Sequence, residues 1–324
     1  MTKAQIIKYL KTSDMKPLIK EADRIRCLYC QDKVLIRGLI EFSNYCIRDC
    51  LYCGLRTSNS KVERYRMSTK DILTAVRVVA DKGIKTIVLQ SGDDFFYTKE
   101  KLVKLIKSIK KINKGTAVTL SIGERPLKEY KAFFDAGADR YLIRHETANP
   151  LLYKEMHPKQ SLEKRKAILY NLKKIGYQIG CGCIIGLPHQ TLEDLAEDIL
   201  FIQDLQPAMV GMGPFIPQDD TPLFGNKSPA EELVLKMLAL TRIVTKNAHI
   251  PATTALATLD KKQGYTQGLK AGCNVIMVSY TPDLYKVNYK IYNDTVNTDI
   301  KNAQEAIERA ERQMSFERGD SLKK

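Results

Sequence analysis

Short apolar runs rich in Val, Ile and Leu alternate along the chain with longer segments in which apolar residues recur at helical spacing. Eight runs have the length and composition of buried strands, at 34–43, 86–91, 117–123, 140–146, 178–187, 209–216, 250–256 and 274–280. Helical patterns follow them near 68–82, 98–113, 126–136, 160–175, 191–205, 230–246, 262–271 and 298–314. Eight β-then-α units predict a parallel α/β sheet that closes into a (β/α)₈ TIM barrel.

We expect the barrel to be the chain's single domain. A chain of 324 residues suits one such barrel, and no linker or low-complexity segment divides it. The expected domain spans 1–324, with an N-terminal helical extension at 1–33, the barrel at 34–282 and a C-terminal helical tail at 283–324. The last ten residues, SFERGDSLKK, are polar, and we expect them to be frayed.

Composition indicates where the protein works. No apolar run approaches the roughly 18 residues that a membrane span needs, and the charged N-terminus does not resemble a signal peptide. We therefore expect a cytoplasmic protein without a membrane partner. The net charge is +15, but much of the lysine lies on the polar face of helical patterns such as 98–113. Because no basic motif is interleaved with aromatic residues, a nucleic-acid partner is not expected.

Three cysteines lie close together directly after the first predicted strand. Cys46, Cys50 and Cys53 form a C-x₃-C-x₂-C pattern within NYCIRDCLYCGLR. Such a group could belong to a disulfide, a zinc site or an iron–sulfur site, or arise by chance; in a cytoplasmic chain metal ligation is favoured. Closed zinc sites and protein-held 4Fe–4S clusters usually take four ligands. A cluster on these three cysteines would leave one iron open to a small molecule.

The remaining cysteines give weaker signals. Cys27 and Cys30 form a lone C-x₂-C, which needs a second pair to hold a metal. Cys181 and Cys183 share one face of the fifth predicted strand, because alternate residues of a strand point to the same side. We expect this pair and Cys273 to serve as small apolar core residues.

Polar groups end several of the other predicted strands. QSGDD follows the second strand and SIGE the third, RHE ends the fourth and ATT lies in the seventh. Polar groups inside a barrel are costly unless they face a ligand or one another. Since barrel enzymes build their active sites at the carboxyl ends of the strands, the sequence predicts one polar site there, beside the cysteines.

The chain resembles the radical S-adenosylmethionine (SAM) enzymes, in which this cysteine pattern follows the first strand with an aromatic residue, here Tyr52, before the last cysteine. More narrowly, it is similar to the HydE maturases of FeFe-hydrogenases over roughly residues 30–292. RGLIEFSNYCIRDCLYCGLR, GADRYLIRHETANPLLY and MVGMGPFIPQDDTPL carry this similarity. The resemblance implies a 4Fe–4S cluster on Cys46, Cys50 and Cys53, SAM on the open iron, and reductive SAM cleavage to a 5′-deoxyadenosyl radical.

The same resemblance implies a set of SAM-binding residues. The QSGDD turn would hold the amino group, Glu146 the ribose hydroxyls and Arg165 the carboxylate, which suits the donors of a guanidinium. The alternative for Arg165 is a surface arginine, and for the stretch 184–187 it is plain barrel core. The implied set is Tyr52, Gln90, Ser91, Gly92, Asp93, Ser121, Glu146, Arg165, Ile185 and Leu187.

A second set of side chains is implied to hold an anionic substrate. Two arginines directed into a barrel need anions, whereas threonines could simply cap backbone groups there. The implied substrate is a small organometallic precursor, a cysteine-bound iron that carries CO and cyanide. The set consists of Arg37, Thr119, Arg144, Thr253, Thr254, Met277 and Tyr289.

Further implications concern partners and alternatives. The resemblance implies an electron donor such as ferredoxin or flavodoxin and companion hydrogenase maturases. Because no cysteine follows Cys273, the accessory C-terminal cluster of some HydE proteins is not expected. Two alternatives stay open: a radical SAM enzyme of methylornithine-synthase or biotin-synthase type with an organic substrate, and a non-catalytic zinc or iron–sulfur protein.

Overall fold

A computed structural model describes residues 1–296 and 298–322, and its centre is a set of parallel strands. The strands are β1 (Lys33–Ser43), β2 (Thr86–Ser91), β3 (Ala117–Ser121), β4 (Arg140–Leu142), β5 (Gln178–Cys181), β6 (Ile184–Ile185), β7 (Met209–Val210), β8 (Gly213–Pro214), β9 (Val275–Ser279) and β10 (Gln313–Ser315). The helices are α1 (Lys3–Lys11), α2 (Lys16–Cys30), α3 (Thr69–Asp81), α4 (Lys99–Ile112), α5 (Leu127–Asp135), α6 (Pro150–Met156), α7 (Leu162–Ile175), α8 (Leu192–Leu205), α9 (Glu231–Thr245), α10 (Thr254–Leu259), α11 (Gly264–Lys270), α12 (Asp283–Lys286) and α13 (Ile300–Arg309).

The strands curl into a barrel whose seam is closed by short bridges. The main sheet has the order β10-β1-β2-β3-β4-β5-β7, and β9 also pairs with β1. Between β7 and β9, His249 forms a parallel bridge with Met209, and Pro251 forms one with Val275. These bridges stand where the seventh strand was expected, so the predicted (β/α)₈ TIM barrel is confirmed.

The seventh strand is shorter than predicted for a local reason. We expected a strand over 250–256, but α10 begins at Thr254. The side chain of Thr253 accepts a hydrogen bond from the backbone N–H of Leu256 and thereby caps this helix. The capping interpretation of the threonines is therefore correct for Thr253.

The predicted fifth and sixth strands each divide into two. After β5 and β7 the chains approach so closely that a Cβ atom at Gly182 would lie 1.8 Å from the carbonyl oxygen of Gly211. Gly182 also has φ +148°, a conformation that favours glycine. Beyond this point β6 and β8 pair with each other in a separate two-stranded sheet, which stands at the carboxyl end of the barrel.

Amphipathic helices cover the outside of the barrel. In α4, Leu102, Leu105, Ile106 and Ile109 are buried, whereas five of the six lysines of the same helix are exposed. At the N-terminus α1 packs on α8 and α9, and Lys3 forms a 2.6 Å ion pair with Glu197. No helix within the described ranges is both long and apolar enough to cross a bilayer.

The C-terminal residues differ from their prediction. The last helix, α13, ends at Arg309, and β10 then adds to β1 with Gln313 opposite Lys33. Arg140 of β4 donates hydrogen bonds of 2.8 Å to the carbonyl oxygens of Arg318 and Gly319. The expectation of a frayed tail is therefore wrong up to residue 322, since these contacts hold the segment beneath the barrel; residues 323 and 324 lie outside the described part.

Candidate functional site

A cavity of about 1010 Å³ lies at the carboxyl ends of the strands. Its lining combines residues from the cysteine loop, the loops after β2 and β4, and the segments around α10 and α12. Sixteen predicted site residues line it: Cys46, Cys50, Tyr52, Cys53, Gln90, Ser91, Gly92, Asp93, Ser121, Arg144, Glu146, Arg165, Thr253, Thr254, Met277 and Tyr289. The structure thus brings most of both predicted sets into one cavity.

Four predicted site residues are absent from the cavity wall. Ile185 and Leu187 are buried in apolar clusters, and their neighbour Ile184 lines the cavity instead. Arg37 and Thr119 are buried side chains that likewise do not line it. The plain-core interpretation therefore describes the surroundings of Ile185 and Leu187.

The two buried polar residues have unmet hydrogen-bonding capacity. One terminal nitrogen of Arg37 lies 3.0 Å from the sulfur of Met209. Its other two nitrogens, and the hydroxyl of Thr119, have no partner in the described part of the chain. Burial lowers the pKa of Arg37 well below its ordinary value, and the charge of Arg140 acts in the same direction.

Backbone contacts fix the cysteine loop against its neighbours. The N–H of Leu51 donates to the carbonyl of Met156 at 3.0 Å, and the N–H groups of Arg48 and Asp93 each approach the sulfur of Cys46 at 3.4 Å. At Gly92 a Cβ atom would lie 2.3 Å from the carbonyl oxygen of Tyr45. Only glycine therefore allows the QSGDD turn to lie this close to the cysteines.

The three thiols occupy a common, water-poor environment. Burial raises the pKa of Cys50 to about 12 and also raises those of Cys46 and Cys53. Negative charge on Cys46 or Cys50 would raise the pKa of Cys53 further, so the thiols are close enough to interact.

Two acidic and two basic side chains form an ion-pair network beside the thiols. Arg48 contacts Asp93 at 2.6 Å and Glu124 at 3.2 Å. Arg165 contacts the other oxygen of Glu124 at 2.8 Å and is buried, so the surface-arginine interpretation is wrong. Arg48 was missed although it lies inside the cysteine loop, and Glu124 was quoted only as part of SIGE.

Glu146 combines an unusual backbone with a free oxygen. Its φ is +69°, its N–H donates to Gly182 at 3.0 Å, and its carbonyl accepts from Ile184 at 2.9 Å. One carboxylate oxygen contacts Arg144 at 3.2 Å. The other is buried without a partner among the described residues, which leaves an acceptor for a ligand in the cavity.

Several further cavity residues are tied to partners. The hydroxyl of Tyr52 lies 2.9 Å from the ring nitrogen Nε2 of His157, and Gln90 donates to the hydroxyl of Tyr289 at 3.2 Å. Glu41 was missed because it falls within the apolar run of β1. Burial raises its pKa, and the hydroxyl of Ser279 donates to it at 3.0 Å.

The other cysteines lie apart from this cavity. Cys181, Cys183 and Cys273 are buried, in keeping with their prediction as core residues, whereas Cys27 is exposed and Cys30 is half-buried. Within the described ranges, one group brings three potential metal-ligating atoms within 4.8 Å of one another, and it consists of His145, Cys183 and Asp198.

Comparison with known proteins identifies relatives of this chain. Residues 40–202 match the family model of the Radical SAM superfamily. The [FeFe] hydrogenase maturase subunit HydE of Thermotoga maritima is 48% identical over 275 residues, which cover 85% of this chain and 78% of that protein. The 3-methylornithine synthase of Methanosarcina acetivorans is 27% identical, over 91% of this chain and 84% of its own. A crystal structure of methylornithine synthase (PylB) shares the fold, with a TM-score of 0.86 at 23% identity over 97% of this chain and 94% of that one.

Proposed function

The chain belongs to the radical SAM superfamily and, within it, to the HydE family, and from this premise we propose how its cavity works. It is a radical SAM enzyme and a hydrogenase maturase of the HydE type, and this family membership implies a 4Fe–4S cluster and SAM. We propose that Cys46, Cys50 and Cys53 hold the cluster and that the substrate is a small organometallic iron precursor. The observation that carries this is the placement of the three thiols in the same cavity as Glu146 and Arg165.

The donor set fits a cluster better than a single zinc ion. A closed zinc site usually takes four ligands, whereas three thiolates can each hold one iron of a cubane and leave the fourth iron open. Burial disfavours free thiolates, as the raised pKa of Cys50 indicates, so bound iron would supply the positive charge that they lack. When bound, the reduced cluster supplies one electron that breaks the C5′–S bond of SAM and releases the 5′-deoxyadenosyl radical.

The chain's own residues position SAM. The free oxygen of Glu146 can accept from ribose hydroxyls, and the turn at Gln90–Asp93 presents backbone groups beside Cys46. Three nitrogens of Arg165 donate hydrogen bonds, to Glu124, to Gln160 and to the carbonyl of Arg144. A guanidinium has five N–H groups, so two remain for the SAM carboxylate. Tyr52 and Ser121 complete the proposed lining around this ligand.

A second group of residues is proposed to hold the substrate. Arg144, Thr253, Thr254, Met277 and Tyr289 line the cavity, and Arg144 supplies the positive charge that an anionic precursor needs. We include Arg37 and Thr119 as well, because their unpartnered polar atoms could receive a small anion below the wall. Ile185 and Leu187 support the cavity from behind rather than contact SAM.

The wider setting is also a proposal. We propose a cytoplasmic enzyme that takes electrons from a ferredoxin or flavodoxin, receives its precursor from companion maturases, and carries no accessory C-terminal cluster. We further propose that it functions as one unit, in which 1–33 and 283–324 are extensions of the barrel at 34–282.

Anaerobic reconstitution tests the enzyme class. About four irons and four sulfides per chain, together with 5′-deoxyadenosine after reduction with SAM, are the expected results. One zinc per chain and no SAM cleavage would establish the non-catalytic alternative.

Substrate assays and anion soaks test the substrate class. Turnover of the organometallic precursor, with anion density beside Arg144 and Thr253 after soaking in thiocyanate, is the expected result. Conversion of an amino acid such as lysine, with the precursor left unchanged, would favour the methylornithine-synthase alternative.

A further inference from the structure

One carboxylate oxygen behind the cavity wall holds both ends of the turn that contains Glu146. Oδ1 of Asp198, on α8, accepts from the backbone N–H of Ala148 at 2.6 Å. The same oxygen lies 3.1 Å from Nε2 of His145. The side chains of His145 and Asp198 are both 0% exposed, so solvent does not compete for these bonds.

The turn needs such support because its backbone is strained. Glu146 has φ +69°, in the left-handed region, where a Cβ atom lies too close to the following carbonyl oxygen. The N–H of Thr147 donates back to the carbonyl of His145 at 2.9 Å, which tightens the bend. Strained backbone of this kind persists only where surrounding contacts hold it, and it is common at ligand-binding positions.

The hydrogen bonds assign the protonation of the histidine ring. The N–H of Gly182 donates to Nδ1 of His145 at 3.4 Å, so Nδ1 is the acceptor. Nε2 therefore carries the hydrogen and donates it to Asp198. With one nitrogen accepting and the other donating, the ring has no lone pair left for a metal. The group of His145, Cys183 and Asp198 is thus a hydrogen-bonded clamp and not a metal site.

The clamp ties three elements together at the point where the cavity needs a fixed carboxylate. It joins α8, through Asp198, to the end of β4 and to Gly182 after β5. Gly182 also accepts the N–H of Glu146, so the ring and the glutamate are held by the same residue. We propose that Asp198 and His145 are positioning residues that fix Glu146 in the cavity, an inference that rests on the proposed SAM-binding role of Glu146.

Two substitutions of Asp198 distinguish the hydrogen bonds that its oxygen accepts from the negative charge that it carries. Asp198→Asn keeps an oxygen that can accept from both Ala148 and His145, whereas Asp198→Ala removes it. In Asp198→Ala we expect backbone amides of residues 146–148 to exchange hydrogen about tenfold faster in the cluster-free protein. In the reconstituted protein we expect SAM affinity to fall about 5- to 20-fold, with the cluster content unchanged. Asp198→Asn should stay within about twofold of wild type in both measurements.

A matched control comes from the other end of the barrel. Asn274 is buried, and its side-chain oxygen accepts from Ile250 N–H at 2.9 Å and from Arg242 at 3.0 Å. Asn274→Ala should lower the melting temperature in the manner of Asp198→Ala, yet leave exchange at 146–148 and SAM affinity unchanged. If Asp198→Ala does not fold, His145→Phe replaces it, because the ring packs edge-on against Phe201 and Phe retains that volume.

The outcomes distinguish this inference from the proposed function. Unchanged exchange at 146–148 in Asp198→Ala or His145→Phe would overturn the clamp, whatever happens to SAM. Faster exchange with unchanged SAM affinity would also overturn it as a positioning device, provided that Glu146→Ala weakens SAM binding. If Glu146→Ala itself leaves SAM affinity unchanged, the SAM role of Glu146 fails, and the clamp as stated here falls with it.

Discussion

Two arginines four positions apart treat buried charge in opposite ways: Arg140 lies on β4 at the amino end of the barrel, and Arg144 follows β4 at the carboxyl end. At the amino end, Arg140 is fully buried and donates to the carbonyls of Arg318 and Gly319 and to the carboxylate of Asp320. At the carboxyl end, Arg144 contacts Glu146 at 3.2 Å and its side chain is still 34% exposed. The N–H groups of Arg140 donate to partners within the protein, whereas Arg144 retains N–H groups that can donate to a ligand.

The difference separates stability from function. A buried polar group with partners adds to stability, and one without partners lowers it unless a ligand supplies them. At the amino end the hydrogen bonds of Arg140, His249 and Asn274 are made within the chain. At the carboxyl end Glu146 retains a buried oxygen without a partner in the described ranges. We therefore expect substitutions at the amino end to change folding and those at the carboxyl end to change chemistry.

The largest effect is expected at the cysteines. Replacement of Cys46, Cys50 or Cys53 by Ala should abolish cluster binding and 5′-deoxyadenosine formation, because each thiolate holds one iron in the proposed cluster. Cys27→Ala and Cys30→Ala are the controls, since these residues lie on α2 before β1, outside the cavity lining. Iron and sulfide analysis after reconstitution measures the cluster content of each variant. Loss of the cluster in Cys30→Ala would show that the ligands are assigned wrongly.

Arg140 and Arg144 should respond in opposite ways. Arg140→Ala removes a fully buried side chain and the donor to the carbonyl of Gly319, and it should lower the free energy of unfolding by about 1–3 kcal/mol. Arg144→Ala should change it by less than about 1 kcal/mol, because this partly exposed ion pair contributes little. Urea unfolding measures both values.

Activity assays on the same pair complete the comparison. Arg144→Ala should lose turnover of the iron precursor while it still cleaves SAM in an uncoupled way, since the proposed cluster and SAM contacts remain. Wild-type turnover in Arg144→Ala would remove this residue from the substrate site and weaken the HydE-type substrate relative to an amino acid.

SAM affinity should fall when its proposed partners are removed. Glu146→Ala and Arg165→Ala each lose a charge-assisted hydrogen bond, which costs about 1.5–3 kcal/mol and corresponds to about 10- to 150-fold in affinity. The cluster should remain, and its absorbance reports that directly. Equilibrium titration with SAM provides the affinity, and an unchanged dissociation constant in both variants would contradict the assignment.

The last prediction concerns acid stability at the amino end. Burial lowers the pKa of His249 to about 3, and the charge of Arg37 adds to the shift. Between its unfolded pKa of ~6.5 and this value, the unfolded chain binds a proton that the folded chain does not. Stability therefore falls with decreasing pH, by at most about 1.4 kcal/mol per pH unit from this group. His249→Gln should reduce the slope of unfolding free energy between pH 6.5 and 4 by about one proton. An unchanged slope would show that His249 does not remain neutral in the folded state.

Much of the fold could be predicted because the spacing of apolar residues indicates each strand and helix from its own sequence. The runs at β1, β2 and β9 agree closely with the observed strands, since each is apolar along its length and ends in polar residues. The seventh strand could not be delimited from its composition, because the cap of α10 at Thr253 depends on where the chain bends. The polar C-terminal residues could not be placed either. Their partners, such as Arg140, are remote in sequence and read as ordinary strand residues.

The residues of the candidate site that lie in motifs could be predicted from the sequence, whereas the ion pairs and hydrogen bonds between them could not. Spacing indicated Cys46, Cys50 and Cys53, and the match to known motifs pointed to Glu146 and Arg165. The ion pairs of Arg48 and Glu124 depend on contacts between separate loops, which no local pattern records. Asp198 appears in the sequence as one acidic residue on an amphipathic helix. Its burial and the hydrogen bond that it accepts from the N–H of Ala148 follow from tertiary packing alone.

The C-terminal segment beneath the barrel has a kinetic consequence. Arg318 and Asp320 close the amino end around Arg140, and the lining of the cavity belongs to the carboxyl end. Among the described residues, this arrangement leaves the carboxyl end as the side from which ligands reach the cavity. If the precursor is held toward Arg37 and Thr119, below the cavity wall and deeper than SAM, it must enter first and its product must leave last. Steady-state turnover would then follow a compulsory order, with free SAM in excess acting as a block to precursor entry.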